Sequence, residues 1–509
     1  MTTEQNEVEH AARTATARRM GGEKKLRQRA EQGILNVEQR VDRLCDPGSF
    51  KESGRFTTSQ RPGDEETTPR DGKIAGFGAV CGRSVAVVGY DFTVKGASSG
   101  PISNKKMQHM KDVGTASGIP VVYLSESTGV RMPDIMGGAG MATLSDRRRF
   151  LRLRENPWAS AVFGYSFGSA AWHAVCSDFV VFRKGAVMAV SSPGLVGRAT
   201  GREVGKEELG GWRLHAEITG IADVVADTDE EAIDSVRRFL GYLPSHNQEE
   251  PPVIETTQPE TDPARTLDRV PESPAGVYDV RDVLRCVVDG GSLFELKARF
   301  ARNLVTALAR IGGRTIGVIA SNPVNKAGAV DADACDKATS FLVLCDSFNI
   351  PVVFFADQPG FLIGVEAEKR RITGKVINWM NALSQMTVPK LTIMMRKDYG
   401  QAFVNMGGGD TADAVAAWWS AQVSFMDPRS AVFVVHGLSE DKDPDAYRDR
   451  LAEMSRRTTA YDLAGAYGAH DVIDPRDTRN WIAEQLEIHR HRPTGGVGEH
   501  LLSNWPTTF

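Results

Sequence analysis

The chain repeats itself at a fixed interval. The stretch GRSVAVVGYDFTVKGAS begins at Gly82, and GRTIGVIASNPVNKAGA begins at Gly313, so the repeat offset is 313 − 82 = 231. GIPVVYLSES and NIPVVFFADQPG are separated by the same offset, and the small-residue motifs FGSA, from Phe167, and YGQA, from Tyr399, agree with it to within one position. Three separate stretches in one register indicate an internal duplication, so we expect two copies of one fold.

The length and a composition break agree with two domains. At 509 residues the chain is too long for one hydrophobic core. Residues 245–274, SHNQEEPPVIETTQPETDPARTLDRVPESP, are rich in Pro, Glu and Thr and lack hydrophobic periodicity. We predict an N-terminal domain over 1–244, an exposed linker over 245–274 and a C-terminal domain over 275–509. A disordered insertion within one domain is the alternative for the middle segment.

Each copy alternates strands and helices. SVAVVGYDF and TIGVIASNP are β-branched apolar runs, whereas ISNKKMQHMKDVGTASG and DADACDKATSFLVLCDSFN have helical spacing. IPVVYLS and IPVVFFAD are continuous apolar runs, typical of parallel strands buried on both faces. This order predicts an α/β fold with right-handed crossovers.

The two small-residue motifs are the main candidates for chemistry. Each follows an apolar strand at the point where a helix would begin, so unpaired backbone N–H groups converge there. Small residues allow a ligand carbonyl to approach such amides closely, and two amides about 3 Å from a developing negative oxygen form an oxyanion hole. The alternative is that Gly168 and Gly400 only permit close packing of helix on strand. Recurrence in both halves favours the functional interpretation.

Composition excludes several other classes of protein. The formal net charge of −4 argues against a dedicated nucleic-acid binder. No run of 18 apolar residues and no secretory signal is present, so we expect neither a membrane span nor secretion. The six cysteines form no C-x-x-C pair, so we expect no metal site. These features favour a cytoplasmic protein.

Several long stretches, in order along the chain, resemble the carboxyltransferase (β) subunits of biotin-dependent acyl-CoA carboxylases, the propionyl-CoA carboxylase type. They are KLRQRAEQGILNVEQRVDRLCDPGSFKE, GYDFTVKGASSGP, ESTGVRMPD, REVGKEELGGWRLHAEITGIADVVADTDEEAI, FNIPVVFFADQPGFLIG, VPKLTIMMRKDYG and VIDPRDTR. The resemblance implies two tandem crotonase-like domains of the ClpP/crotonase superfamily, each a ββα-superhelix. That fold agrees with the repeat.

The resemblance also implies a reaction. Carboxybiotin, delivered on a separate carrier protein, would lose CO2, and the deprotonated α-carbon of an acyl-CoA would attack it. By resemblance, Gly168 and Ser169 would hold the oxygen of the acyl thioester, whereas Gly400, Gln401 and Ala402 would hold the ureido oxygen of biotin. No side-chain base is required, because biotin itself can take up the α-proton.

The resemblance places the CoA thioester against two further stretches, made of Lys95, Gly96, Ala97 and Ser98 and of Gly129 and Arg131. It places the acyl pocket at Val404, where the family often has an acid, so the acyl group stays undefined. The family usually has two glycines in each hole, whereas this chain has Ser169 and Gln401 at the second position. A backbone N–H survives either change, and the backbone is unstrained only where φ is negative.

The implied partners are a biotin carboxylase and a biotin carboxyl carrier protein, because the chain contains no ATP-grasp region and no Met-Lys-Met biotinylation motif. Biotin is the expected cofactor, no metal is expected in this subunit, and the family implies a homo-oligomer, a hexamer. A decarboxylase or transcarboxylase on the same fold and a non-catalytic scaffold remain alternatives. A crotonase-type hydratase needs paired acids near the first hole, and residues 164–176 offer none.

Four further features have simpler interpretations. We expect His173 to be structural and Trp418 and Trp419 to be core or subunit-contact residues. The basic run DRRRFLRLRE, residues 146–155, is a solvated helix face unless it lies beside the CoA site, where it would attract phosphates.

Overall fold

The computed structural model describes residues 2–143, 150–492 and 499–506. The chain forms two compact units, Met1–Asn247 and Gln248–Phe509. Much of the predicted linker therefore belongs to the second unit, where Ile254 N–H donates to the Gly313 carbonyl at 3.1 Å. No helix within the described ranges is long and apolar enough to cross a membrane.

The first unit is built on one mixed sheet with the strand order β1-β2-β3-β4-β5-β6-β8, in which β7 pairs with β5. β1 pairs with β2, and β2 with β3, in antiparallel orientation, and the other pairs are parallel. The strands are Lys51–Ser53 (β1), Lys73–Val80 (β2), Arg83–Tyr90 (β3), Val121–Ser127 (β4), Trp158–Phe167 (β5), Phe179–Arg183 (β6), Val187–Ala189 (β7) and Val224–Ala226 (β8). The helices are Thr3–Arg18 (α1), Glu23–Glu31 (α2), Val37–Leu44 (α3), Pro101–Ser117 (α4), Met132–Ile135 (α5), Gly137–Ala142 (α6), Ser169–Val175 (α7), Pro193–Thr200 (α8), Lys206–Gly210 (α9) and Asp229–Tyr242 (α10).

The second unit has a sheet of the order β16-β14-β13-β12-β11-β10-β9, in which β15 pairs with β13. The strands are Phe294–Leu296 (β9), Leu304–Ile311 (β10), Arg314–Ser321 (β11), Val352–Gln358 (β12), Lys390–Tyr399 (β13), Ala414–Trp418 (β14), Gln422–Ser424 (β15) and Asp471–Ile473 (β16). The helices are Val280–Val287 (α11), Ala332–Ser347 (α12), Val365–Lys369 (α13), Ile372–Gln385 (α14), Ala402–Asn405 (α15), Pro428–His436 (α16), Pro444–Met454 (α17), Ala460–Gly465 (α18) and Thr478–Ile488 (α19).

The two sheets match strand for strand. Read from β9, the second sheet repeats the order and directions of the first, and β15 pairs with β13 as β7 pairs with β5. A register shift occurs near the end of the same strand pair in both sheets, between Ser125 and Ser127 in β4 and between Ala356 and Gln358 in β12. The duplication seen in the sequence is therefore a duplication of topology.

Local sequence features account for the central strands and for the ends of helices α4 and α12. The central strands are buried on both faces, as their continuous apolar runs predict. Helix α4 begins with Pro101 after Gly100 and ends at Gly118 in the left-handed conformation. At the equivalent helix α12, the Asp331 side chain caps the first turn by accepting from the Ala334 N–H at 2.9 Å.

A buried lysine ties helix α4 to the start of the sheet. Lys106 Nζ donates to three backbone carbonyls, those of Gly54, Arg70 and Lys73, at 3.1, 3.0 and 2.6 Å. Burial lowers the pKa of Lys106 to about 8. The amine thus satisfies carbonyl groups that water cannot reach.

The second unit repeats this contact with Lys337, which occupies the position of Lys106 in the repeat. Its Nζ donates to the carbonyls of Lys297, Phe300 and Leu304, at 2.9, 2.9 and 2.7 Å. Burial lowers the pKa of Lys337 to about 7. Neither lysine was singled out in the sequence, because an amine that binds carbonyls leaves no local pattern.

We expect Lys106→Met to lower the thermal unfolding midpoint by about 5–10 °C, because it removes three hydrogen bonds that a buried amine donates to backbone carbonyls. The neighbouring Lys105 is exposed on the same helix, so Lys105→Met is the matched control and should change the midpoint little. Differential scanning calorimetry of the two variants checks this. Equal midpoints would show that the Lys106 contacts do not stabilise the unit.

Candidate active site

Both small-residue motifs form the same backbone turn. Strand β5 ends at Phe167, Gly168 follows with φ 60° and ψ −126°, and helix α7 begins at Ser169. In the second unit β13 ends at Tyr399, and Gly400 has φ 69°. Residues with a Cβ rarely adopt this region, so each strand turns into its helix through a glycine because the backbone requires one.

Ser169 and Gln401, which stand where the family usually has the second glycine, both have backbone conformations that any residue can adopt. Gln401 has φ −65° and ψ −19°, and Ser169 is the first residue of helix α7. Both conformations are right-handed and open to any L-residue. The serine and the glutamine therefore impose no backbone strain and keep their N–H groups.

Several amides at these turns are left without an acceptor. Within the described ranges, no backbone or side-chain acceptor meets the N–H of Ser169 or Ala170 in the first unit, or of Gln401 or Ala402 in the second. The N–H of Gly400 differs, since it donates to the Ser424 carbonyl at 3.0 Å. Gly400 therefore supplies the turn, and its two successors supply the available donors.

A second loop lies against each turn. A Cβ built on Gly129 would lie 3.5 Å from the Phe167 carbonyl oxygen, and one on Gly360 would lie 3.8 Å from that of Tyr399. Both glycines have positive φ, 103° and 121°. The loops after β4 and β12 thus approach the turns after β5 and β13 in the same way.

The loops are held in place by equivalent hydrogen bonds. In the first unit Ser99 N–H donates to the Gly129 carbonyl at 2.8 Å, and in the second Val330 N–H donates to the Gly360 carbonyl at 3.0 Å. In the described part of the chain the N–H groups of Val130 and Phe361, the next residues along, meet no acceptor. The sequence reasoning missed Phe361, although the repeat offset leads directly to it from Val130.

The predicted CoA residues gather beside the first turn. Lys95, Gly96 and Ala97 all have positive φ, and the Gly96 carbonyl accepts the Thr128 N–H at 3.0 Å. This bond and the Ser99 contact bring the predicted stretches 95–98 and 129–131 together. The Ser98 hydroxyl donates a hydrogen bond to the Lys95 carbonyl at 2.8 Å.

The two predicted cationic side chains in this region already have carboxylate partners. Lys95 Nζ lies 2.7 Å from Asp64 Oδ1. The Arg131 guanidinium is buried and contacts Asp71 and, at 3.1 Å, Asp134. Through these buried ion pairs Arg131 stabilises the loop that follows β4.

The remaining candidates lie as follows. Val404 is partly buried on α15, one turn after Gln401, and its N–H donates to the Gln401 carbonyl at 3.1 Å. His173 is buried and stacks on Tyr123 with ring centroids 5.0 Å apart. Trp418 is buried and Trp419 is 42% exposed. Residues 144–149, which hold the first part of the basic run, lie outside the described residues.

Two carboxylates close to these strand ends, those of Glu126 and Asp357, form ion pairs. Glu126 on β4 contacts Arg40 at 2.7 Å and Arg29 at 2.6 Å, and although burial raises the pKa of Glu126, these cations bring it below its ordinary value. Asp357 on β12 contacts Arg396 at 2.8 Å. Both carboxylates are built into the scaffold and are poorly placed for acid–base work.

Comparisons with known proteins show the family to which the chain belongs. A model of the carboxyl transferase domain matches residues 28–498. The carboxyltransferase subunit of propionyl-CoA carboxylase from Haloferax mediterranei is 36% identical over 481 residues, 92% of this chain and 93% of that one. The 12S subunit of methylmalonyl-CoA carboxyltransferase from Propionibacterium freudenreichii subsp. shermanii is 35% identical over 92% and 91%. The alpha subunit of methylmalonyl-CoA decarboxylase from Veillonella parvula is 31% identical over 92% of each chain.

A solved structure agrees as well. The transcarboxylase 12S crystal structure, a hexamer with methylmalonyl-coenzyme A bound, superposes with a TM-score of 0.90 at 33% identity over 96% of each chain. The predicted α/β fold of two crotonase-like domains is confirmed, and so is the resemblance drawn from the motifs. The chain belongs to the carboxyl transferase domain family.

Proposed function

We propose that this protein is the carboxyltransferase subunit of a biotin-dependent acyl-CoA carboxylase, and that it moves CO2 from carboxybiotin on a separate carrier protein to the α-carbon of an acyl-CoA. The observation that carries the proposal is the pair of equivalent glycine turns, each followed by amides without an acceptor among the residues that the structure describes. Two such sites suit a reaction in which two carbonyl oxygens become negative, one on each substrate.

In the first unit, the amides of Ser169 and Val130 are the proposed donors to the acyl thioester oxygen. Ser169 follows the Phe167 turn and Val130 follows Gly129, which lies against Phe167, and this proximity supports a shared role for the two amides. Gly168 shapes the turn and keeps a side chain away from the oxygen. The predicted stretches 95–98 and 129–131 contact each other beside this turn and would bind the rest of the thioester. These donors stabilise the enolate more than the neutral thioester, which lowers the barrier to loss of the α-proton.

In the second unit, the amides of Gln401, Ala402 and Phe361 are the proposed donors to the ureido oxygen of biotin. Neutral N–H donors on a backbone turn fit a carbonyl of a neutral ring, so the residues present suit this group. Carboxybiotin, when bound, supplies the CO2 and the atom that takes up the α-proton. The chain itself binds, orients and stabilises charge.

The ion-paired state of the local acids supports a reaction without a side-chain base. Glu126 in the first unit and Asp357 in the second are each held by arginine, so Glu126 is not one of the free paired acids that a crotonase-type hydratase would need near the first hole. This arrangement favours carboxyl transfer over hydration.

A second candidate function is carboxyl transfer away from an acyl-CoA, as in a transcarboxylase or a decarboxylase. Relatives at similar identity bear the names carboxylase, carboxyltransferase and decarboxylase. A transcarboxylase or decarboxylase would use the same two holes. We favour carboxylation with a biotin carboxylase and a biotin carboxyl carrier protein as partners, in a homohexamer like that of transcarboxylase 12S.

The test is a screen of acyl-CoA chain lengths with the purified chain, a biotin carboxylase, a biotinylated carrier protein, ATP and labelled bicarbonate. We expect labelled carboxyacyl-CoA that depends on all components. Product formed only from a malonyl-type donor, without ATP, would assign the chain to the transcarboxylase class. Absence of turnover together with absence of acyl-CoA binding in calorimetry would show a non-catalytic scaffold.

We expect Gly168→Ala and Gly400→Ala each to lower kcat by about 100-fold, because a Cβ at positive φ shifts the turn and its amides away from the oxygen. Gly194→Ala and Gly374→Ala are matched controls, since both glycines lie on exposed helical backbone where a Cβ meets no atom within 4 Å. Steady-state kinetics of the four variants checks this. A normal kcat for either turn variant would remove that turn from the site.

We expect Val404→Asp to change the preference among acyl-CoA chain lengths while leaving the unfolding midpoint within a few degrees. The side chain is only partly buried, so a carboxylate there keeps contact with water, yet it replaces an apolar wall beside the turn. Ratios of kcat/KM for short and long acyl-CoA substrates measure the effect. Unchanged ratios would show that Val404 does not line the acyl pocket.

A further inference from the structure

Two polar side chains are fully buried at the ends of neighbouring strands in the second unit. Gln358 ends β12, Asp398 is the penultimate residue of β13, and the two are directly paired in the parallel register. Each lies immediately before one of the two loops that form the proposed biotin site. Burying a polar group costs free energy unless the group is hydrogen-bonded, so the hydrogen bonds of these two side chains indicate their role.

Gln358 joins the two loops through its amide group. Its Oε1 accepts the N–H of Gly360, and its Nε2 donates to the Tyr399 carbonyl at 3.2 Å and to Asp398 Oδ1. The Gly360 loop and the Tyr399–Gly400 turn are therefore linked through one side chain. The separation of their free amides depends on this link.

Asp398 holds the other end of the link. Its Oδ1 accepts from Gln358, whereas its Oδ2 is buried with no hydrogen-bond partner among the described residues. Burial raises the pKa of Asp398 to about 7, the charge of Asp357 adds to this, and the Gln358 hydrogen bond opposes it. A proton on Oδ2 leaves Oδ1 as the acceptor, so the link survives in the neutral form.

The groups around Asp398 do not neutralise its charge. Asp357, on the neighbouring strand, is itself bound by Arg396 Nε and by the Tyr278 hydroxyl, each at 2.8 Å. The charged and titratable neighbours on the elements described here are Asp357 on β12, Tyr278 before α11, and Arg396, Lys397 and Tyr399 on β13. Within the described ranges none of them forms an ion pair or hydrogen bond with Asp398 Oδ2.

The first unit has only the loop half of this link. Ser127, the counterpart of Gln358 in the repeat, accepts the Gly129 N–H at 3.1 Å, as Gln358 accepts that of Gly360. Ser166, the counterpart of Asp398 in the register of the two glycine motifs, shares a hydrogen bond of 3.1 Å with Ser125. The side-chain bond from the loop to the turn, and the carboxyl at its end, are therefore particular to the second unit.

We propose that Asp398, together with Gln358, is a positioning residue of the biotin-side site that acts in its protonated form, and that ionisation of Asp398 disables this site. The inference rests on the proposed function. Asp398 precedes Gly400 by two positions, so chain geometry puts its Cα within about 7 Å of the turn. A carboxylate there repels the negative charge that develops on the ureido oxygen, and this repulsion is strong in an interior that excludes water.

The test measures transfer of the carboxyl group from methylmalonyl-CoA, or from the carboxylated form of the preferred acyl-CoA, to a biotinylated carrier protein. This half of the reaction needs neither ATP nor the biotin carboxylase. The rate at saturating substrates is measured from pH 5.5 to 9 for the full-length wild type and for Asp398→Asn. We expect the wild-type rate to fall through one ionisation near pH 7, and Asp398→Asn to lose this fall. At pH 8.5 the variant should exceed the wild type by roughly 30-fold, the inverse of the neutral fraction.

Two further variants distinguish a positioning role of Asp398 from a general effect on the stability of the protein. Asp398→Ala removes the acceptor for Gln358 and should lower the rate at every pH. Ser166→Ala, at the matched position of the first unit, should keep the fall near pH 7. A purely structural Asp398 would leave the pH dependence of Asp398→Asn like that of the wild type.

The outcomes separate this inference from the proposed function. If the wild type transfers carboxyl groups but its rate shows no ionisation between pH 6 and 8, Asp398 does not act as proposed, and this result needs no variant to fold. The same holds if Asp398→Asn retains the fall. If the wild type transfers nothing at any pH although it binds acyl-CoA, the proposed function itself is wrong.

Discussion

In the function that we propose, one backbone conformation, a glycine with positive φ directly after the fifth strand of each half, sets where chemistry occurs. Gly168 and Gly400 reverse the chain so tightly that the next amides meet no acceptor within the described part of the chain. Donors left without a protein acceptor at equivalent places in both halves are available to a ligand, which is why we propose that they bind one. The loops at Gly129 and Gly360 lie against these turns in the same way in both halves.

The duplication preserves backbone geometry more faithfully than side chains. The left-handed turns at 95–97 and 326–328, the lysines Lys106 and Lys337, and the loop bonds to Gly129 and Gly360 recur at one offset. By contrast, Glu126 becomes Asp357 and Ser166 becomes Asp398 at equivalent positions. Main-chain amides recognise a carbonyl oxygen whatever molecule carries it, so two copies of one scaffold can serve two substrates while their side chains diverge.

The sequence predicted what depends on local pattern, and missed what depends on tertiary contact. The repeat, the buried parallel strands and the two glycine motifs follow from spacing and residue type. The ion pairs of Lys95 and Arg131, the bond from Gly400 N–H to Ser424, and the Gln358–Asp398 link depend on residues far apart in the chain. The Phe361 amide could have been found earlier, by carrying Gly129 and Val130 across the repeat offset.

The central claim is that main-chain amides after each glycine turn hold the two reacting oxygens. The most direct measurement is a high-resolution crystal structure of the protein with an acyl-CoA and biotin bound together. We expect the Ser169 nitrogen about 3 Å from the thioester oxygen and the Gln401 nitrogen about 3 Å from the ureido oxygen. Ligand oxygens that contact only side chains or water, with both turns left empty, would contradict the account.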